Sequence, residues 1–132
     1  MITVDRLMTR KMVNIEAGTS AIEAAKLMKN HKIGSVFVTK HGHIVGIVTE
    51  PDSVRKVVGA ERVPYYIPVE EIMSSPVIGI DGRRSVTDAA DLMEQHGTRH
   101  LAPARQAPHR ARMGKSAGHQ IRPHHCALQC AG

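Results

Sequence analysis

Residues 4–36 and 69–101 of this 132-residue chain carry one pattern twice, at an offset of 65 residues and without a gap. A duplication constrains folding more than composition does, because both copies must form the same elements and bury the same faces. "VDRLMTRKMVNIEAGTSAIEAAKLMKNHKIGSV" lies over "VEEIMSSPVIGIDGRRSVTDAADLMEQHGTRHL". Val4, Met8, Ile15, Ser20, Ala24, Ala25, Leu27, Met28 and His31 are identical to Val69, Met73, Ile80, Ser85, Ala89, Ala90, Leu92, Met93 and His96. Leu7 with Ile72, Val13 with Ile78 and Glu23 with Asp88 are conservative pairs.

Each copy opens with a short apolar run, "MVNI" or "PVIGI", that reads as a strand. Ser20 or Ser85 then stands as a helix N-cap, with Glu23 or Asp88 three residues on to return a hydrogen bond. Apolar residues recur at helical spacing behind each cap, at Ile22, Ala25 and Met28 and at Val86, Ala89 and Met93. His31 and His96 close these helices as favourable C-terminal cations. The first copy continues through "SVFVT" and "HIVGIVT", two β-branched strands around "KHGH", where Gly42 supplies a positive φ for a hairpin. "PDSVRKVV" follows as a short helix with Pro51 in its first turn and Val54, Val57 and Val58 at helical spacing. The unit is strand, helix, strand, strand, helix.

In that order, spacing and duplication the first hundred or so residues resemble the CBS domain, whose members occur in tandem pairs, the Bateman modules. The resemblance rests on "LMTRKMVNIEAGTSAIEAAKLMKNHKIGSVFVTKHGHIVGIVTEPDSV" and on "IMSSPVIGIDGRRSVTDAADLMEQHGTRHL". It implies two repeats packed by their sheets, with clefts that often hold adenosine nucleotides. The family's ligand signature is a Gly, two apolar residues, Thr or Ser, any two residues, then Asp, and it falls on Gly46, Ile47, Val48, Thr49, Glu50, Pro51 and Asp52. A carboxylate accepts both hydroxyl protons of a ribose, a hydroxyl at a helix start serves phosphate together with free backbone N–H groups, and glycine allows close approach. Pro51 departs from the pattern, since related repeats often carry a polar residue there. It removes one backbone donor and a side-chain phosphate contact, which disfavours tight triphosphate binding. By the same resemblance Pro76, Val77 and Ile78 border the purine, Gly34 and Ser35 line the cleft, and Arg99 and His100 present basic groups towards phosphate. The residues alone leave two alternatives open: Thr49 and Asp52 also suit the cap of the "PDSVRKVV" helix, and Arg99 and His100 also suit a solvated strand edge.

The net charge of +6 points to nucleic acid only until it is divided along the chain. Arg105, Arg110, Arg112, Lys115 and Arg122 lie after Leu101 with no acid among them, so thirteen of the eighteen basic residues face all twelve acids in residues 1–101, a balance of +1. Aromatics amount to 2%, namely Phe37, Tyr65 and Tyr66, too few for base-stacking platforms. The Met residues read as core filler. No apolar run is long enough to span a membrane, and the N-terminus lacks the apolar stretch of a leader, which indicates a cytoplasmic protein. Cys126 and Cys130 could staple only a few residues.

After Leu101 the repeat stops. At the same offset His109, Arg110 and Arg112 stand where Ile44, Val45 and Ile47 build the central strand, and Gly114 and Ala117 stand where Thr49 and Asp52 carry the signature. Two guanidinium groups do not suit a buried strand, so the second copy lacks its last two strands and its own signature. Such a break is what a shifted reading frame or a recombined 3′ end would produce. His119, His124, His125, Cys126 and Cys130 are chemically adequate zinc ligands, but their spacing matches no familiar structural site, and no metal site is expected.

The expected fold is α+β, with tandem CBS repeats. Repeat 1 spans residues 1–62, a partial repeat 2 spans 63–101, and 102–132 form a divergent, disordered basic tail. The expected function is a non-catalytic regulatory module that binds AMP, ADP, ATP or S-adenosylmethionine, requires no cofactor, and signals to a regulated protein of unknown identity through repeat packing or dimer geometry. No catalytic constellation or phosphate loop is present. The unfinished second sheet leaves an apolar edge that invites homodimerisation. The alternatives are a dimerisation module without a small ligand and, less favoured, a nucleic-acid binder acting through the tail.

Overall fold

A computed structural model of the chain describes residues 1–8 and 13–107, together with the backbone of residues 109–110 and 129–130. Two compact units result: residues 13–76, and residues 1–12 with 77–132.

In the unit of residues 13–76, β1 (Asn14–Glu16), α2 (Ala21–His31), β2 (Ser35–Lys40) and β3 (His43–Thr49) follow a short N-terminal helix α1 (Val4–Leu7) that belongs to the other unit. The sheet order is β1-β2-β3. β1 runs parallel to β2, as a strand-helix-strand crossover requires. β2 and β3 are antiparallel from Ser35↔Thr49 to Lys40↔His43. The central strand β2 buries Ser35, Val36, Phe37 and Val38 in succession, as a strand covered on both faces does. The hairpin turns on His41 and Gly42, with φ of 53° and 78°, the left-handed pair that a two-residue loop demands. α2 turns Ala21, Ala24 and Met28 into the core beside Ile15, Val36, Val38 and Val48.

β3 passes directly into α3 (Glu50–Ser53), and from Val54 to Val58 the winding widens to a π-helix, with Gly59 N–H donating to Val54 O at 2.6 Å. Two 3₁₀ turns follow, Pro64–Tyr66 and Val69–Glu71. The widened winding explains one difference from the sequence reading. Val57 is buried, but Val54 and Val58 are exposed, because in π winding i and i+4 stay on one face while i+3 turns well away from it, so Val57 cannot share the core with both.

The other unit repeats the arrangement. β4 (Ile78–Ile80) runs parallel to β5 (His100–Pro103), and α4 (Val86–His96) packs Ala89, Leu92 and Met93 against Ile78, Ile80 and Leu101. The 65-residue ruler holds at the level of single bonds. Ile33 N–H to Met28 O and Thr98 N–H to Met93 O are both 3.0 Å, closing the two helices at left-handed Lys32 and Gly97.

The segments that precede the first strands are exchanged. Val4 is fully buried with Ile78, Ile80 and Leu101, and its counterpart Val69 is fully buried with Ile15, Val36 and Val48. The backbone bonds match as well: Val4 N–H to Arg84 O and Val69 N–H to Thr19 O, both 2.8 Å; Asp5 N–H to Gly82 O at 2.9 Å and Glu70 N–H to Ala17 O at 3.2 Å.

Other expectations are corrected. Ser20 makes no side-chain cap bond, and Glu23 turns to Lys26 at 3.4 Å instead; only Ser85 accepts from the Asp88 N–H, at 3.0 Å. The second copy does not end at Leu101. β5 continues to Pro103, and Ala102 and Ala107 are buried. Nor is the edge of β5 unpaired: β6 (His109–Arg110) lies beside β4 and β7 (Gln129–Cys130) beside β5, both parallel, in the order β6-β4-β5-β7. The zinc candidates His119, His124, His125 and Cys126, the side chain of Cys130, the counterparts Arg112, Gly114 and Ala117, and the expected disorder of the tail lie outside the described residues.

Candidate functional site

The Gly46–Asp52 stretch places its two polar side chains where β3 becomes α3. Thr49 is the N-cap. Its Oγ1 accepts from Asp52 N–H at 3.2 Å, and Asp52 Oδ2 accepts from Thr49 N–H at 3.1 Å, a reciprocal capping box. Pro51 fits the first turn because no intrahelical donor is needed there. The box forms because Thr and Asp, three residues apart, satisfy donors that a helix start leaves over.

Capping does not use up these groups. An ionised carboxylate has about four acceptor positions. One on Oδ2 takes the Thr49 amide, and one on Oδ1 lies 3.1 Å from Lys56 Nζ. Each oxygen therefore keeps one acceptor position, and a pair of acceptors on one carboxylate is what a vicinal diol requires. The Thr49 hydroxyl accepts through oxygen in the cap and still has its proton to donate.

The backbone donors differ from the expectation of free amides for phosphate. Glu50 N–H donates to Gly34 O at 3.0 Å, Pro51 has none, and Asp52 N–H is taken by Thr49. The first turn of α3 thus offers a diol acceptor and a hydroxyl, and its first three residues offer no unspent amide to an anion.

Gly34 and Ser35 are brought to this place, Gly34 by its bond from Glu50 and Ser35 by pairing with Thr49 across β2 and β3. Val48 is fully buried in the core, so what it can show a ligand is backbone. Gly46 allows a close approach, but the approaching group is Met73. A Cβ at Gly46 would meet Met73 Cγ at 2.8 Å. Pro76, after a cis peptide from Ser75, ends this unit. Val77, Ile78, Arg99 and His100 belong to the other unit. There Val77 and Ile78 are buried, Ile78 pairs with Leu101, Arg99 is exposed, and half-buried His100 opens β5 with its amide donating to Thr98 Oγ1 at 3.2 Å.

Sequence reading missed Lys56, whose ammonium also donates to Ile72 O at 2.9 Å. The signal was available in the i, i+4 spacing of Asp52 and Lys56. Ser74, which exchanges backbone hydrogen bonds with Ile47 at 2.8 and 3.0 Å, carried no signal at all. Among the described residues no group of three or more His, Cys, Asp and Glu could hold a metal ion, and no helix is long and apolar enough to cross a membrane.

The CBS domain family matches this sequence over residues 4–56 and 69–103. The chain belongs to the CBS domain family. CBS domain proteins are typically regulatory and non-catalytic, and many bind nucleotides. The chain is 32% identical over 101 residues to the CBS domain-containing protein YhcV of Bacillus subtilis, covering 76% of this chain and 71% of that one. It is 37% identical over 99 residues to an uncharacterized 17.7 kDa protein of Acidianus ambivalens, covering 74% of this chain but only 58% of the relative's length. Among solved structures it is similar to a hexameric CBS-CP12 protein from bloom-forming cyanobacteria, with a TM-score of 0.68, 31% identity, and 75% and 58% of the two chains covered.

Proposed function

We propose that this CBS domain protein is a non-catalytic regulatory module that binds an adenine-containing nucleotide, with Asp52 accepting the ribose hydroxyls and Thr49 donating beside them. The observation that carries this reading is the pair of acceptor positions left on Asp52 by its capping box and by Lys56. Gly34 and Ser35 are joined to the start of α3 through Glu50 and Thr49, and Gly46 and the Val48 backbone are assigned to the ligand on the resemblance alone. Pro76, Val77 and Ile78 are assigned to the purine, and Arg99 and His100 to the phosphate, on the resemblance alone. With no unspent amide on residues 50–52, affinity depends on the nucleoside more than on the number of phosphates. AMP and S-adenosylmethionine are therefore favoured over ADP and ATP. Binding reports to a regulated protein through repeat packing or dimer geometry, because a ligand shifts only those states for which its affinities differ. Self-association is part of this reading, supported by the hexameric relative.

Calorimetric titration of AMP, ADP, ATP and S-adenosylmethionine into the wild type and Asp52→Ala tests it. The wild type should bind at least one of them, and the variant should lose that binding. Equal heats from both proteins would sink the assigned site.

A second reading has its own observation. The capping box by itself accounts for Thr and Asp at these positions, which suits a dimerisation module with no small ligand. Thermal shifts that stay flat across all four nucleotides, with a mass that remains dimeric, would favour it.

A further inference from the structure

One ammonium group ties the signature helix to the segment that leaves it. Lys56 Nζ lies 3.1 Å from Asp52 Oδ1 and donates to Ile72 O at 2.9 Å. Ile72 is itself buried and stands at the end of the 3₁₀ turn Val69–Glu71, so its carbonyl needs a donor that the short turn cannot supply. Two residues later Ser74 holds Ile47 through a reciprocal pair of backbone hydrogen bonds, and two residues after that Pro76 ends the unit. Lys40 and Arg62 also reach the stretch just before this segment, at Glu70 (3.7 Å) and Glu71 (2.7 Å), but through exposed carboxylates that lie outside the signature. Lys56 alone among these three cations touches both the Asp52 carboxylate and the segment.

We propose that Lys56 couples Asp52 to the order of segment 72–76, so that what happens at the carboxylate is felt where the chain departs for the second repeat. An ammonium held between a carboxylate and a carbonyl sits where it does because of both acceptors. If the Asp52 charge is removed, Lys56 loses its anchor and Ile72 O its positioned donor. The two bonds between Ser74 and Ile47 then hold the segment with less support. A diol drawing on Asp52, or an anionic group pulling on Nζ, acts at the same joint. Lys56 is a positioning residue for Asp52 in this scheme. Its effect on a ligand rests on the reading of Asp52 as the diol acceptor, whereas the coupling of Asp52 to segment 72–76 does not.

Amide hydrogen exchange at Ser74 in the ligand-free, full-length chain tests the coupling. Lys56→Met should raise the Ser74 exchange rate about two- to fivefold, as expected for a partly exposed ion pair. Asp52→Asn keeps an acceptor for the Thr49 amide and should raise the rate by a similar factor. The double variant should be no faster than either single one, Lys56→Arg should restore the wild-type rate, and the amides of Val38 and Val48 should report an unchanged fold. An unchanged Ser74 rate in Lys56→Met, or additive effects in the double variant, would overturn the proposal. If Lys56→Met does not fold, the same rise at Ser74 is required of the wild type in concentrated NaCl, and its absence is equally fatal. AMP supplies a second readout. Where calorimetry shows AMP bound, it must change the Ser74 rate in the wild type and not in Lys56→Met. Where AMP does not bind, the nucleotide reading is what suffers, and the ligand-free variants still decide the coupling.

Discussion

Val4 and Val69 stand 65 residues apart at equivalent points of the repeat, and each is fully buried in the core built by the other copy's strands. Val4→Ala should therefore weaken the unit containing β4 and β5, and Val69→Ala the unit containing β1 to β3. Two methyl groups removed from a closed core cost about 2 kcal/mol. Amide exchange resolved by residue checks this: Val4→Ala must deprotect Leu101 before Val38, and Val69→Ala must do the reverse. The opposite order would show that the exchange contributes nothing to stability.

Lys32 and Gly97 are also equivalents, and both adopt the left-handed conformation that closes α2 and α4, with φ of 54° and 62°. A side chain pays roughly 1 kcal/mol for that conformation, which glycine avoids. Lys32→Gly should raise the denaturant midpoint by an amount equivalent to about 0.5–1 kcal/mol, with an unchanged m-value. Gly97→Lys should lower it comparably. A Lys32→Gly variant less stable than the wild type would contradict the argument.

Gly46 is the one signature residue whose need for glycine is visible, and the neighbour that requires it is Met73. Gly46→Ala should cost about 1–3 kcal/mol through overpacking. Pairing it with Met73→Ala should recover most of the loss from the added methyl, which chemical denaturation of the four proteins in a double-mutant cycle would reveal. Purely additive costs would mean that the two residues do not meet.

Asp81 accepts from the Arg83 side chain at 2.9 and 3.2 Å and from the Arg83 amide at 2.9 Å, and these bonds hold its carboxyl down at about 2, from 3.8. A depressed carboxyl stabilises the fold above its unfolded value and ceases to do so as it is protonated. Its contribution is thus present above about pH 4 and is lost as pH falls towards 2. The pair is exposed, so added salt should shrink the effect. Carboxyl chemical shifts followed through an acid titration should place the Asp81 midpoint near 2 in the wild type and nearer 3.8 in Arg83→Gln. Identical midpoints would rule out the Arg83 bonds as the cause.

The polarity of the Thr49–Asp52 stretch was legible in the sequence because capping and ligand binding ask for the same residue types at the same spacing. The use of the amides around it was not. That Glu50 donates to Gly34 depends on β2 and β3 lying side by side, a contact between residues 16 positions apart. Val54 and Val58 were misread because a periodicity argument assumes 3.6 residues per turn, and the chain widens to π winding just there. Ser20 and Ser85 look identical in sequence, yet only Ser85 caps, since a side-chain rotamer answers to its neighbours and not to its own identity.

By itself the sequence determined that two copies of a strand-helix-strand unit exist and where their helices begin and end, because periodicity, caps and duplication are local and additive along a chain. Only the tertiary structure decided that Val4 and Val69 change places, that Met73 fills the space over Gly46, and that Lys56 joins Asp52 to Ile72. Those are meetings between residues distant in sequence, selected by which apolar faces close a core and which buried carbonyl still needs a donor, and no local pattern encodes them.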